Sequence, residues 1–185
     1  MDVELSYCVV STDQRQLLRY CLDAIARERA TVPFATEVLV LDNASLDGSA
    51  DAARAHPTTT AVIASGERRG RGQNHTELLQ LATGRLCLLL NEDNELEPGA
   101  TVALHDALTA DEHAAAAAAT LVDPDGTPRP SAWRFPGVWT ALLGTAGLHP
   151  RRVVQSHGTR VRRVDWAPPA ALLVRRDAAA SVGTS

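Results

Sequence analysis

Short apolar runs and amphipathic segments alternate along the first two thirds of the chain. The runs lack polar alternation and are too short to span a bilayer, which is typical of strands buried on both faces of a sheet. We therefore predict five strands, at residues 5–12, 37–41, 60–64, 86–90 and 114–122. We predict four intervening helices. Three include apolar residues at 17–25, 78–81 and 102–108, and a short one starts at Asp47-Gly48-Ser49.

This order of elements predicts the fold class. A β-α alternation through residue 122 is typical of an α/β protein with a mainly parallel, Rossmann-like sheet and helices on both faces. At the helix ends, we expect Thr12 and Asp13 to cap the first helix and Gly84 to end the third. Pro98 is expected in the first turn of the fourth helix.

The pattern changes after residue 122. The tetrapeptide Asp123-Pro124-Asp125-Gly126 predicts the turn of a hairpin. A helix is expected at residues 141–148, an arginine-rich loop at 151–163 and a last apolar run at 170–174. Because neither a repeat nor a linker interrupts the sequence, we predict a single domain over residues 1–185.

The amino-acid composition excludes several classes of chemistry. The chain has 185 residues, enough for one domain with a sizeable core. All 18 basic residues are arginine, which excludes P-loop and lysine-aldolase chemistry. Cys8, Cys21 and Cys87 lack metal-ligand spacing and are interpreted as reduced core residues of a cytosolic protein. The acidic amino terminus predicts neither secretion nor a membrane span.

The charge is unevenly distributed along the chain. Residues 1–125 contain 9 arginines and 20 acids, a net charge of −11, whereas residues 126–185 contain 9 arginines and 2 acids, a net charge of +7. The second segment is where an anionic partner would dock. A solvated, irregular surface is an equally open interpretation.

The most informative stretch is the apolar run at residues 86–90 and the acidic segment that follows it, Asn91-Glu92-Asp93-Asn94-Glu95. Ionised carboxylates without partners are costly to bury, so this segment must lie at the carboxyl edge of the sheet. Ligands of open α/β sheets bind at that edge, and clustered carboxylates suit a divalent ion that also holds phosphates. A polar turn leading into a helix is the alternative.

Three predicted loops leave this same edge, at residues 11–13, 42–45 and 91–93. A nucleotide would match them: Asp42 could accept a hydrogen bond from the base or ribose, and Asp93 could hold a metal on the diphosphate. Phosphate could pair with one of the three arginines of the next loop, Arg68, Arg69 or Arg71. Alternatively, Asp42 is a turn or capping acid and the arginines form a solvated loop.

Other chemistries lack their motifs. The turn after the first strand has no glycine, which argues against a dinucleotide-binding dehydrogenase. Neither G-x-S-x-G nor H-E-x-x-H occurs. His75, the only histidine beside a candidate loop, is interpreted as a surface residue.

Together these motifs resemble glycosyltransferase family 2, and more narrowly its rhamnosyltransferase-like members. The two most specific segments are DNASLDGS and LLLNED, in this order and spacing. Supporting segments are the opening VVST, the loop GRGQNHTELLQLATGR and the later VDWAPPAALLVRRDAAASVG. The resemblance covers nearly the whole chain, from about residue 5 to 183.

The resemblance implies a GT-A fold and an inverting transfer of sugar from a nucleotide-diphospho-sugar to the hydroxyl of a glycan or lipid-linked glycan. It implies that residues 1–122 form the nucleotide-sugar-binding half and residues 123–185 an incomplete acceptor-side part. It also implies Mg²⁺ or Mn²⁺ at Asp93, and no nucleic-acid partner. The implied donor-binding residues are Ser11, Thr12, Asp42, Asn43, Asp47, Arg68, Arg71, Asn74, Glu92 and Asp93. The implied setting is polysaccharide or cell-wall synthesis in the cytoplasm, with peripheral contact at the inner membrane face through the arginine-rich part.

The sequence departs from the family at four places. Asn91 replaces the first acid of the D-x-D motif, Arg68 stands where many members have asparagine, and Pro168-Pro169 replaces a glycine. The sequence also stops before the acidic pair that supplies the family's general base, so we expect a truncated chain. Asp165 is the nearest remaining candidate for that base. A catalytically incomplete nucleotide-sugar-binding domain and a nucleotidyltransferase stay open as alternatives.

Overall fold

A computed structural model describes residues 2–123, 125–132, 161–167 and 170–182. The chain forms two compact units. The first contains Met1–Ala117 together with Ala170–Ser185, and the second contains Ala118–Pro169. The chain therefore returns to the first unit after the second. Our assignment of donor-side and acceptor-side halves stays a prediction.

The first unit is built on a six-stranded sheet with the order β3-β2-β1-β4-β8-β5. Its strands are β1 (Leu5–Ser11), β2 (Thr36–Asp42), β3 (Ala61–Ala64), β4 (Leu86–Asn91), β5 (Ala116–Ala118) and β8 (Ala171–Arg175). Strands β1 to β4 run parallel to one another, as the sequence predicted. The last apolar run forms β8, which pairs antiparallel with β4.

Helices cover both faces of this sheet, which confirms the predicted α/β architecture. They are α1 (Arg15–Arg29), α2 (Ser49–Ala55), α3 (Arg71–Leu81), α4 (Ala100–Thr109) and α5 (Arg176–Val182). On one face, α1 packs against α2, and Tyr7 of β1 donates a hydrogen bond to Thr101 of α4 at 3.0 Å. On the opposite face, α3 and α5 pack on a core of alternate strand residues such as Cys8, Leu39 and Cys87.

The central strands owe their position to their composition. Every residue of β1 and β4 is buried, because a strand between two helical layers has no solvent-exposed face. Cys8, Cys21 and Cys87 are buried free thiols, as predicted. Burial and the carboxylates nearby raise the pKa of Cys21 to about 12, so this thiol stays protonated.

The structure corrects four local predictions. The apolar run at residues 114–122 is not one strand, because β5 joins the large sheet and β6 (Leu121–Val122) pairs elsewhere. Thr12 and Asp13 do not cap α1, whose N-cap is Gln14. Pro98 precedes the first turn of α4, because the left-handed Gly99 is its N-cap.

Gly84 is the fourth correction, since α3 ends at Leu81 with Ala82 at its C-cap. Gly84 is instead required by close packing against β1. A Cβ at this position would lie 2.6 Å from Ser6 Oγ and 2.7 Å from Ser6 N.

In the second unit, β6 pairs antiparallel with β7 (Pro128–Arg129), which confirms the predicted hairpin. Gly126 adopts φ +80°, and its N–H donates to the carbonyl of Asp123 at 2.8 Å. The predicted helix at 141–148 and most of the arginine-rich loop lie outside the described residues. Within the described ranges, no helix is long and apolar enough to cross a bilayer.

Candidate functional site

The carboxyl ends of β1, β2 and β4 meet at one edge of the sheet. Ser11 lies directly beside Asp42 in the β1–β2 pairing, and Asn91 lies beside Val10 in the β1–β4 pairing. The three loops singled out in the sequence therefore converge. Their convergence follows from the parallel order of the strands, because loops that follow parallel strands leave the same edge.

Asp42 is the most deeply buried acid of this edge, with 3% of its surface exposed. Its Oδ2 accepts a hydrogen bond from Ser45 N at 3.0 Å, so part of its role is to shape the turn. Its Oδ1 is buried without a hydrogen-bond partner among the described residues, and so is Ser11 Oγ on the neighbouring strand. Buried polar atoms are rarely left unpaired, so these two atoms mark a place for a ligand or an ordered water.

Asn43 joins its own loop to the loop after β1 and to the arginine-containing loop before α3. Its Nδ2 donates to Thr12 Oγ1 and to the carbonyl of Arg69, each at 3.2 Å, and its Oδ1 accepts from Arg69 N at 2.8 Å. The amide group is thus fully used by the protein. This arrangement fits a residue that shapes the loop and does not itself contact a ligand.

Asp13 makes a second set of contacts between the same loops. Its N–H donates to Ser45 Oγ at 2.9 Å, and its Oδ1 accepts from Leu46 N at 2.7 Å. Its Oδ2 forms an ion pair with Arg68. Asp13 adopts φ +51°, a left-handed conformation that these contacts stabilise.

Asp47 caps two helices. Its Oδ2 accepts from Arg15 N at 2.7 Å at the start of α1, and its Oδ1 accepts from Ser49 N at 3.0 Å at the start of α2. Partial burial alone would raise the pKa of Asp47, but hydrogen bonds from Ser49 and Arg15 outweigh it and hold that pKa below its usual range. Asp47 therefore fixes the loop between β2 and α2.

In the acidic loop after β4, one carboxylate is bonded within the protein and another is exposed to solvent. Glu92 Oε1 accepts a hydrogen bond from Thr12 N at 3.1 Å, which joins this loop to the β1 loop. Asp93 is exposed, and no hydrogen bond or ion pair involves its side chain in the part of the chain that the structure describes. Asn91 is buried, and its Oδ1 has no hydrogen-bond partner within the described ranges.

These residues fit a divalent cation that is held jointly with a ligand. Among the described residues, no group of three or more histidine, cysteine or acidic side chains could form a complete metal site. A single free carboxylate such as Asp93 suits Mg²⁺ or Mn²⁺ only if phosphate oxygens and water supply the remaining ligands. The donor set therefore fits a cation that arrives with a diphosphate.

The three arginines of the loop before α3 have different roles. Arg69 donates to Ser65 Oγ and to Glu77 Oε2, each at 2.6 Å, so its guanidinium is engaged within the protein. Arg68 is paired with Asp13. Arg71 is exposed at the first position of α3, and among the described residues its side chain has no hydrogen bond or ion pair. Arg71 is thus the arginine most available to a phosphate.

Our interpretation of His75 as a surface residue is wrong. His75 has 6% of its surface exposed, and the neighbouring Asn74 is fully buried. Both precede Leu78 on the face of α3 that packs against the sheet. Burial and the charge of Arg71 lower the pKa of His75 to about 4, so the imidazole is neutral at pH 7.

Sequence reasoning missed two buried glutamates that bind backbone N–H groups, one near the site and one far from it. Glu28 of α1 accepts hydrogen bonds from Gly99 N and Thr101 N, each at 2.7 Å, and so caps α4 behind the acidic loop. Glu37 accepts from Ser6 Oγ at 2.6 Å and from Thr83 N at 2.7 Å at the opposite edge of the sheet. The one feature of the sequence that could have indicated these roles is the presence of an acidic residue within or next to an apolar segment.

Asp165 belongs to the second unit, where it is exposed and has a partner. Its role as a general base stays a prediction.

The sequence matches the model of the family "Glycosyl transferase family 2" over residues 6–166. The chain is also 31% identical over 186 aligned positions to N-acetylglucosaminyl-diphospho-decaprenol L-rhamnosyltransferase of Mycobacterium tuberculosis. The alignment covers 86% of this chain and 59% of the relative. The chain thus spans little more than half the length of the curated relatives it matches.

Solved structures of glycosyltransferases share the fold at low sequence identity. The mannosyltransferase PcManGT from Pyrobaculum calidifontis, in complex with GDP-Man and Mn²⁺, is 24% identical with a TM-score of 0.55, over 68% of this chain and 37% of that chain. Glucosyl-3-phosphoglycerate synthase from Mycobacterium tuberculosis, in complex with UDP, is 17% identical with a TM-score of 0.56, over 95% of this chain and 57% of that chain. These likenesses confirm the predicted GT-A fold. The match of the family model over residues 6–166 shows that the chain belongs to glycosyl transferase family 2.

Proposed function

We propose that this chain binds a nucleotide-diphospho-sugar at the carboxyl edge of its sheet and serves the transfer of the sugar to an acceptor hydroxyl. The observation that carries the proposal is a pair of buried atoms, Asp42 Oδ1 and Ser11 Oγ, that have no hydrogen-bond partner in the described part of the chain. They lie beside loops fixed by Asn43 and Asp13. A nucleoside supplies the N–H and O–H donors that Asp42 lacks. The rigid loops keep the carboxylate aimed at the ligand without reorganisation.

The diphosphate would lie between Asp93 and Arg71. The two side chains have opposite charge, and neither has a protein partner among the described residues. Mg²⁺ or Mn²⁺ bound by Asp93 would neutralise the charge that develops on the leaving nucleoside diphosphate. Because Asn91 replaces an acid, Asp93 would carry most of the protein's share of the metal affinity.

An inverting transfer requires a base within hydrogen-bond reach of the acceptor hydroxyl. We propose Asp165 for this role. If Asp165→Asn leaves the rate of transfer unchanged, the base is another group. Inversion itself would be tested by determining the anomeric configuration of the product by NMR.

The acceptor we propose is a glycan or a lipid-linked glycan in polysaccharide or cell-wall synthesis. The rhamnosyltransferase relative is named for a diphospho-decaprenol acceptor, and residues 126–185 carry a net charge of +7 from 9 arginines and 2 acids. We therefore propose a cytoplasmic location with peripheral contact at the inner membrane face. Equal binding to neutral and anionic liposomes would reject the electrostatic part of this proposal.

The direct test is calorimetric titration of UDP, dTDP and GDP, with and without Mn²⁺. We expect one nucleotide to bind, and to bind more tightly with the metal. Asp42→Asn should weaken binding at least about tenfold, because it replaces an acceptor with a donor at a buried site. Asp93→Asn should abolish the effect of Mn²⁺.

Glu95→Gln is the matched control for Asp93→Asn. Glu95 is an exposed acid of the same loop whose partner is Arg27 at 2.9 Å, so its substitution should leave nucleotide binding unchanged. If no nucleotide binds, or if both variants behave alike, the proposed donor site is wrong. Release of diphosphate from a nucleoside triphosphate would instead identify a nucleotidyltransferase.

A further inference from the structure

The turn that carries Asp93 is closed by the residue that follows it. Asn94 N donates a hydrogen bond to the carbonyl of Asn91 at 3.2 Å, and Asn94 Nδ2 donates to the same carbonyl at 3.3 Å. The side-chain amide also donates to the carbonyl of Ala170 at 2.5 Å. Both hydrogens of the Asn94 amide are therefore used by backbone carbonyls of the protein.

The bond to Ala170 extends the pairing of β4 with β8 beyond the strands themselves. Strand β8 is antiparallel to β4, and the last residue pair at the carboxyl edge is Leu90 with Ala171. Ala170 directly precedes β8, so its carbonyl lies just past that pair, where Asn94 supplies the donor. One side chain thus joins the acidic loop to the point where the chain enters β8.

Asp93 projects from a loop whose other acidic side chains are engaged. Glu92 accepts a hydrogen bond from Thr12 N at 3.1 Å, and Glu95 is paired with Arg27 at 2.9 Å. Asp93 is exposed, and among the described residues its side chain has no hydrogen bond or ion pair. The position of its carboxylate therefore depends on the backbone of its own turn.

A metal site with one protein carboxylate is sensitive to where that carboxylate lies. The cation would be shared between Asp93 and a diphosphate that is held elsewhere, so carboxylate and phosphate oxygens must reach the ion together. Removal of a group that orients a metal ligand typically lowers metal affinity by about 10–100-fold. We propose that Asn94 is a positioning residue, which holds Asp93 where the metal and the diphosphate meet by binding the carbonyls of Asn91 and Ala170.

This inference rests on the proposed function. In this role Asn94 acts through Asp93 and does not contact the nucleotide. Its loss should therefore affect only the part of nucleotide binding that depends on the metal. A role in stability alone would change the unfolding of the protein and leave the metal-dependent part of binding unchanged.

The test compares nucleotide binding by the wild type and by Asn94→Ala. The measured quantity is the metal ratio, defined as the dissociation constant without Mn²⁺ divided by that with Mn²⁺, for the tightest binder among UDP, dTDP and GDP. Asn94→Ala should lower the metal ratio about tenfold and leave the metal-free dissociation constant unchanged. Asn94→Ser keeps a hydroxyl that can bind the carbonyl of Asn91 but not that of Ala170, so its metal ratio should be intermediate.

Ser6→Ala is the matched control. Ser6 Oγ donates to Glu37 at 2.6 Å and accepts from Gly84 N at 2.9 Å, so this variant also loses two side-chain hydrogen bonds, at the opposite edge of the sheet. Because Ser6 is fully buried, Ser6→Ala should lower the midpoint of thermal unfolding at least as much as Asn94→Ala does. Its metal ratio should equal that of the wild type.

The outcomes separate this inference from the proposed function. A wild type that binds no nucleotide, or binds it equally with and without Mn²⁺, rejects the metal-dependent donor site and the role of Asn94 with it. A metal-dependent wild type whose metal ratio Asn94→Ala leaves unchanged rejects only the role of Asn94. That role is also rejected if Ser6→Ala lowers the metal ratio as much, or if Asn94→Ala weakens binding equally without the metal.

Discussion

Asn43 binds both backbone polar groups of Arg69, 26 positions further along the chain. Its Oδ1 accepts from Arg69 N at 2.8 Å and its Nδ2 donates to the Arg69 carbonyl at 3.2 Å. The amide of Asn43 thus binds the N–H and the carbonyl of one residue, as the backbone of a neighbouring strand does in a sheet. The consequence is that the loop before α3 is positioned by the loop after β2.

We predict that Asn43→Ala destabilises the protein and weakens nucleotide binding together. The substitution removes three hydrogen bonds and should lower the free energy of unfolding by about 1–3 kcal/mol. Chemical denaturation and calorimetric titration would measure the two effects. Gln80→Ala, which removes an exposed amide on α3, is the control and should change neither.

Substitution of Arg71 should affect nucleotide binding, whereas substitution of Arg69 should affect the stability of the protein. We expect Arg71→Gln to weaken binding of the nucleoside diphosphate about tenfold with little change in unfolding, because its side chain has no partner among the described residues. Arg69→Gln should chiefly lower stability, since it loses the contacts to Ser65 and Glu77. The reverse pattern would assign the phosphate contact to Arg69.

Substitution by alanine should lower the stability of the protein at Gly84 but not at Gly72. Gly84→Ala should destabilise the protein by about 1–3 kcal/mol, because its Cβ would overlap the backbone and hydroxyl of Ser6. Gly72→Ala should be neutral or stabilise by up to about 1 kcal/mol, since it lies in α3 with nothing within 4 Å of the added carbon. Thermal unfolding of both variants measures this, and a stable Gly84→Ala protein would contradict the packing.

The stability of the wild type should fall in acid partly because of His75. Its pKa is about 4 when folded against a usual 6.5, so between these values the unfolded chain binds the proton more tightly. Protonation of His75 does not affect the free energy of unfolding above pH 6.5. Between pH 6.5 and pH 4 it lowers that free energy progressively, by about 3 kcal/mol at most.

His75→Leu provides the comparison for that pH dependence. Other groups titrate in the same range, so the informative quantity is the difference in unfolding free energy between wild type and variant. That difference should change between pH 7 and pH 4 in favour of the variant. A constant difference over this range would show that the imidazole is not buried in neutral form.

The apolar runs alone determined most of the sheet. Apolar residues such as Val9, Leu41 and Leu88 can be buried only between two layers of helices. The local pattern therefore predicted the strands β1, β2 and β4 and their parallel direction. The acids after those strands could not enter the core, which put Asp42, Glu92 and Asp93 at one edge. These predictions depend only on the hydrophobicity and spacing of residues that are close together in the sequence.

Only the tertiary structure decided which partners those residues have. It placed β8 between β4 and β5, antiparallel to β4, and it paired the carboxylate of Glu28 with the backbone N–H of Gly99. It also showed that Arg69 is engaged and that His75 is buried. A hydrogen bond or strand pairing joins positions far apart in the chain, so its energy depends on their distance in space, which no local pattern of residues specifies.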